Sequence, residues 1–129
     1  MARPKTVGPT KRELEILQIL WQRGKSTVRD VHEELNKTTS VGYTSVQKIM
    51  QIMFDKSLVT RDESTQTHIY EAANNAEETQ DEVVTDLLDR VFGGSAMNLV
   101  SRALSARPVS KKELGKIKKL LEGLEVRDE

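Results

Sequence analysis

A mainly α-helical chain with one small β-hairpin is what this sequence predicts, and three observations carry that reading. Apolar residues recur at three- and four-residue spacing along most of the 129 residues. One stretch, LVTRDESTQTHIYEA at 58–72, breaks that period and sets β-branched residues on either side of a polar tip. Charged residues make up 31% and aromatics only 4%, which suits short soluble helices around a modest core.

Residues 1–9 hold two prolines, a glycine and two basic side chains, and read as a flexible basic arm. No apolar run follows that arm, so it does not read as a secretory signal. Thr10 and Glu13 have the spacing of a capping box, which starts the first helix. Leu14, Leu17, Leu20 and Trp21 form its inner stripe, with Ile16 at the flank, and Gly24 ends it. KSTV is a short β-prone segment. Thr27 caps a second helix whose inner side is Val28, Val31 and Leu35, and NKTTSVG is a turn.

The third helix spans about 42–56. At about 100° per residue, Tyr43, Val46, Ile49, Met50, Met53 and Phe54 share one arc of about 140°. Strands at Leu58–Arg61 and Thr67–Glu71 then flank the tip 62–66. Helix, short strand, helix, helix and hairpin, in that order, make a winged helix-turn-helix over residues 10–74.

Residues 75–129 read as a second domain of three helices. Val83, Val84, Leu87, Leu88 and Val91 form a stripe that GGS at 93–95 stops. Ser95 caps a helix through about Ser105, and RPVS at 107–110 breaks it. Ser110 and Glu113 suggest another capping box, followed by Leu114, Ile117, Leu121 and Leu124. Three such helices in about 55 residues bury little surface alone. A homodimer is the economical way to cover them, through Val84, Leu87, Leu88, Val91, Leu99, Leu114, Ile117, Leu121 and Leu124. Packing back onto residues 1–74 is the alternative.

Lys plus Arg equals Asp plus Glu, at 20 each, so bulk charge names no partner. Local charge does. Residues 36–61 contain Lys37, Lys48, Lys56 and Arg61 against Asp55 alone, and residues 1–12 hold four basic side chains and no acid. Those are places where a phosphate backbone is tolerated. The outward face of the third helix is also unusual. Thr44, Ser45, Gln47, Lys48 and Gln51 offer hydroxyls, amides and one ammonium, with no carboxylate before Asp55. Major-groove base edges match these groups: Gln pairs with adenine, Lys with guanine, and Thr or Ser with either. These five are candidate base readers on double-stranded DNA. Tyr43, Lys37, Arg61, Arg3 and Lys5 are candidate backbone contacts.

TKRELEILQILWQRGKSTVRDVHEEL followed by GYTSVQKIM resembles the penicillinase-repressor family of winged-helix regulators, and the likeness continues through HIYEA and LLDRVFGGSAMNLV. It covers about residues 10–124. With neither a secretory signal nor a membrane span in view, a cytoplasmic chain is the default expectation, and the resemblance implies a homodimer that represses transcription from a palindromic operator, with 42–53 reading DNA and 58–72 as wing. For beta-lactam-responsive members it also implies a membrane sensor metalloprotease as partner, which triggers cleavage in the dimerisation region. This sequence departs at several points. Ile52–Met53 stands where the family often has Arg-Leu, and Ser57 where it usually has Gly. The Asn-Phe cleavage bond is absent, and the matching place is Arg102–Ala103. There is no Cys, so the cysteine cluster of copper-responsive members is excluded.

No catalytic grouping, cofactor motif or metal site emerges. His32 begins HEELN, but Asn36 replaces the second histidine of a zinc-binding helix. His68 reads as a sheet-surface residue, with a phosphate or wing contact as the alternative. No run approaches the roughly 18 apolar residues of a membrane span. A second reading stays open: a helical protein-interaction adaptor on a winged-helix frame, without DNA binding.

Overall fold

The computed structural model describes residues 9–124, in the order α1 (Lys11–Arg23), α2 (Val28–Leu35), α3 (Tyr43–Asp55), β1 (Val59–Asp62), β2 (Ile69–Ala72), α4 (Ala76–Arg90), α5 (Ala96–Ala106) and α6 (Lys111–Gly123). Those residues fall into two compact units that divide between Asp86 and Leu87, inside α4.

In the first unit the caps are local and strong. The Thr10 hydroxyl accepts from the Glu13 amide, and the Glu13 carboxylate accepts from the Thr10 amide at 2.8 Å. Thr27 and Asp30 repeat the box at the start of α2, where the pattern T-x-x-D had suggested only the Thr27 half. Each satisfies two amides that the first helical turn leaves unpaired. Gly24 ends α1 at φ 84°, a conformation open to glycine, and its N–H bonds to the Leu20 carbonyl.

The core joins α1, α2 and α3 to the hairpin: Ile16, Leu17, Leu20, Val31, Leu35, Val46, Met50, Met53, Val59 and Tyr70 are all buried. Ile16 lies fully inside rather than at the flank, while Leu14 is only half-buried. Tyr43, expected on the same arc as the core residues of α3, is not buried with them. It is 45% exposed, with its ring edge-on to His32 at 5.7 Å between centroids. First in the helix, it has no preceding turn to hold it against the core.

The turn between α2 and α3 is closed by one side chain. Asn36 Nδ2 donates to the His32 and Val41 carbonyls, and its Oδ1 accepts from the Val41 amide. The hairpin is antiparallel, with Val59 opposite Ala72 and Arg61 opposite Tyr70. Each strand starts one or two residues later than its sequence pattern suggests, because 67–68 belong to the turn. The Thr65 hydroxyl donates to the Thr67 carbonyl there. Ser26 pairs with Tyr70 as an isolated bridge, so the β-prone KSTV segment adds a third short edge.

In the second unit, Gly93 and Gly94 (φ 56° and 82°) turn the chain out of α4. The Ser95 hydroxyl caps α5 by accepting from the Asn98 amide. Ser110 makes half of its expected box: its hydroxyl accepts from the Glu113 amide without the reciprocal bond. Neither α5 nor α6 contains a buried residue.

Candidate nucleic-acid interface

An open groove of about 870 Å³ runs between α3 and the hairpin. Tyr43, Thr44, Gln47, Lys48 and Gln51 of α3 form one wall. Arg61, Gln66, Thr67, His68 and Tyr70 form the other, and Thr27, Val28 and Arg29 close the end at the start of α2. Three cations line it and no carboxylate does. The lining itself sets no carboxylate against a polyanion, and it offers hydroxyl and amide groups able to donate and accept.

The fold produces this wall for a simple reason. Val46, Met50 and Met53 bury one side of α3 completely, which points Thr44, Lys48 and Gln51 the other way. Of the five candidate base readers, Thr44, Gln47, Lys48 and Gln51 line the groove, and Ser45, although exposed, lies outside it. Ile52 is 44% exposed and also lies outside the lining. It sits about 100° around the helix from Gln51, away from the side that faces the wing.

The backbone candidates divide. Tyr43 lines the groove. Lys37 lies outside it, where its ammonium pairs with Glu34 at 3.3 Å on an exposed surface. Arg3 and Lys5 lie outside the described residues. Arg61 lines the groove but is not a free cation. Its Nε and Nη2 bond to Glu63 Oε2 at 2.8 and 2.7 Å, and its Nη1 donates to Gln51 at 2.6 Å and to the Tyr70 hydroxyl at 3.4 Å. Its guanidinium sits 4.0 Å from the centre of the Phe54 ring. The side chain is only 11% exposed. Local charge marked it as a candidate contact to the DNA backbone. Its partners at 51, 54, 63 and 70 come together only when the hairpin folds against α3.

His68 stands in the turn before β2, lining the groove, rather than on the sheet surface. Arg29 was missed. It follows the Thr27 cap, so the start of α2 delivers it to the groove end, where it pairs loosely with Glu33 at 3.4 Å. The signal was present in the order cap, then Arg.

Among the described residues no cluster of His, Cys, Asp or Glu could hold a metal ion, and no buried side-chain polar atom lacks a partner. No described helix is long and apolar enough to cross a membrane.

The family model described as penicillinase repressor matches residues 9–123. Among solved structures, the adhesin competence repressor (AdcR) from Streptococcus pyogenes is similar at 20% identity, over 88% of this chain and 77% of that one, with a TM-score of 0.46. None of the curated proteins matches.

Proposed function

The chain belongs to the penicillinase repressor family of DNA-binding transcriptional repressors, and from that premise we propose that it represses as a homodimer on a palindromic operator. Each protomer lays α3 in a major groove, with β1 and β2 as the wing beside it. The observation that carries this reading is the carboxylate-free lining of the α3–hairpin groove. Thr44, Gln47, Lys48 and Gln51 are the base readers, with Ser45 at the margin. Tyr43 and Arg29 hold phosphates, and Lys37 exchanges Glu34 for one.

The second domain, taken as 75–129, supplies the partner. Val84, Leu87, Leu114 and Leu121 are exposed apolar side chains on amphipathic helices, and Val91 and Leu124, also exposed, lie just past the ends of α4 and α6. Leu88, Leu99 and Ile117 flank them half-buried. A two-fold copy covers these stripes and sets the spacing of the half-sites. Release by proteolysis, set off by a membrane sensor metalloprotease, fits the exposed Arg102–Ala103 segment of α5 as the cleaved place.

The test is a titration of labelled duplex, selected from a random pool, against wild type and Lys48→Ala. The variant loses about 1–3 kcal/mol of binding if Lys48 reads a base. Unchanged affinity removes Lys48 from the readers. Salt-insensitive binding to a protein, with no affinity for DNA, supports the adaptor reading instead.

A further inference from the structure

The Gln51 amide is not free to choose its hydrogen bonds. Its Oε1 accepts from Arg61 Nη1 at 2.6 Å, and its Nε2 donates to Asp55 Oδ1 at 3.1 Å. A guanidinium can only donate and a carboxylate can only accept, so the flipped amide would face donor with donor and acceptor with acceptor. Arg61 is held in turn by Glu63 and by the Phe54 face, so it stays where Gln51 needs it.

That arrangement changes what Gln51 can read. Glutamine recognises adenine with both ends of its amide, donating to N7 and accepting from N6. Here the oxygen is engaged by a charged donor, the stronger kind of hydrogen bond. One N–H remains for a base. Guanine offers it two adjacent acceptors, N7 and O6, and thymine offers O4. Adenine sets its N6 donor beside N7, where only the second lone pair of an oxygen already bound to a charged donor is left to meet it.

Resting on the reading of this groove as a DNA site, we infer that Arg61 is a positioning residue. It biases Gln51 from two-ended adenine reading towards reading with its remaining N–H, so the base facing Gln51 is guanine or thymine in preference to adenine. Arg61 acts on sequence preference, not as a phosphate ligand.

The experiment is selection from a randomised duplex pool by the full chain, followed by affinities for single-base variants of the selected site. Gln51→Ala identifies the base position concerned, as the one where preference disappears. Wild type favours guanine or thymine over adenine there by about tenfold. Arg61→Met, which keeps an apolar stem over Phe54, loses or reverses that preference and leaves other positions alone. Arg61→Lys behaves like Arg61→Met, because an ammonium lacks the planar fork that stacks and donates at once. The double variant Arg61→Met/Gln51→Ala matches Gln51→Ala at that position. Thermal melts establish that each variant is folded, and Arg61→Lys carries the test where Arg61→Met is not. The inference is overturned if wild type favours adenine at that position. It is equally overturned if Arg61→Met weakens all sequences alike, lowers the salt slope by about one, and is rescued by Arg61→Lys. A wild-type chain that selects no sequence overturns the DNA reading itself, and the inference with it.

Discussion

The Lys56 ammonium, at the end of α3, lies 2.8 and 3.0 Å from the two carboxylate oxygens of Glu13, in the first turn of α1. Glu13 is 3% exposed and accepts from the Thr10 amide at the same time. One carboxylate therefore closes the cap of α1 and anchors the far end of the groove helix, 43 positions along the chain. Lys56→Met leaves that buried carboxylate without its cation. The expected loss is about 1–3 kcal/mol of stability, seen as a lower urea midpoint with unchanged slope.

The same pair sets an acid limit. Burial raises the Glu13 pKa, but the Lys56 hydrogen bond, the Thr10 amide and the Lys56 charge outweigh it, so the net value lies below that of a free glutamate. A group whose folded pKa is depressed adds stability that is full above its unfolded pKa. That stability is lost as pH falls through the folded value. Asp30 acts in the same direction, mainly through the Thr27 amide. Wild type therefore begins to lose this stability as pH falls into the ordinary carboxylate range, and the loss is complete below the depressed folded values. Lys56→Met removes the two Lys56 contributions that hold the Glu13 pKa down, so it starts less stable at neutral pH and loses less of its urea midpoint than wild type as pH falls into acid.

Ser57 is the one non-glycine residue with positive φ among the described residues, at 64°. A side chain there costs about 1–2 kcal/mol, against about 0.4–1 kcal/mol of extra freedom that glycine brings to the unfolded chain. Ser57→Gly is expected to stabilise by roughly 0.5–1 kcal/mol and leave DNA affinity unchanged. A lower melting temperature would show that the turn is not strained.

What could be read in advance follows the range of each interaction. Thr10–Glu13 and the Gly24 stop were legible because cap chemistry spans three or four residues. The buried stripe Val46, Met50, Met53 was legible because helical period fixes it. Lys56–Glu13 was not, since the sequence places nothing between them that marks a pair. The partners of Arg61 were hidden for the same reason: its place on a basic segment made it a candidate backbone contact, and only folding surrounds it with Gln51, Phe54, Glu63 and Tyr70. Tyr43 obeyed the wheel in angle only, because the first turn of α3 extends past the core.

Leu121 is 57% exposed on α6, so a charge there disturbs no core of its own chain. If α6 lies in a two-fold interface, Leu121→Glu removes burial worth about 1.5–3 kcal/mol from each protomer. Sedimentation equilibrium should then show the dimer weakened by at least about a hundredfold, with helical content kept. An unshifted dimer would place the interface elsewhere.

The most direct test of the groove as a DNA reader is the salt dependence of binding to a selected palindromic duplex. Two chains should bind per duplex, in preference to a scrambled duplex by about a thousandfold or more. The logarithm of affinity should fall against the logarithm of salt with a slope of about −4 or steeper, as two protomers displace counterions from several phosphates each. A flat salt profile, or equal binding to selected and scrambled duplex, would contradict the account.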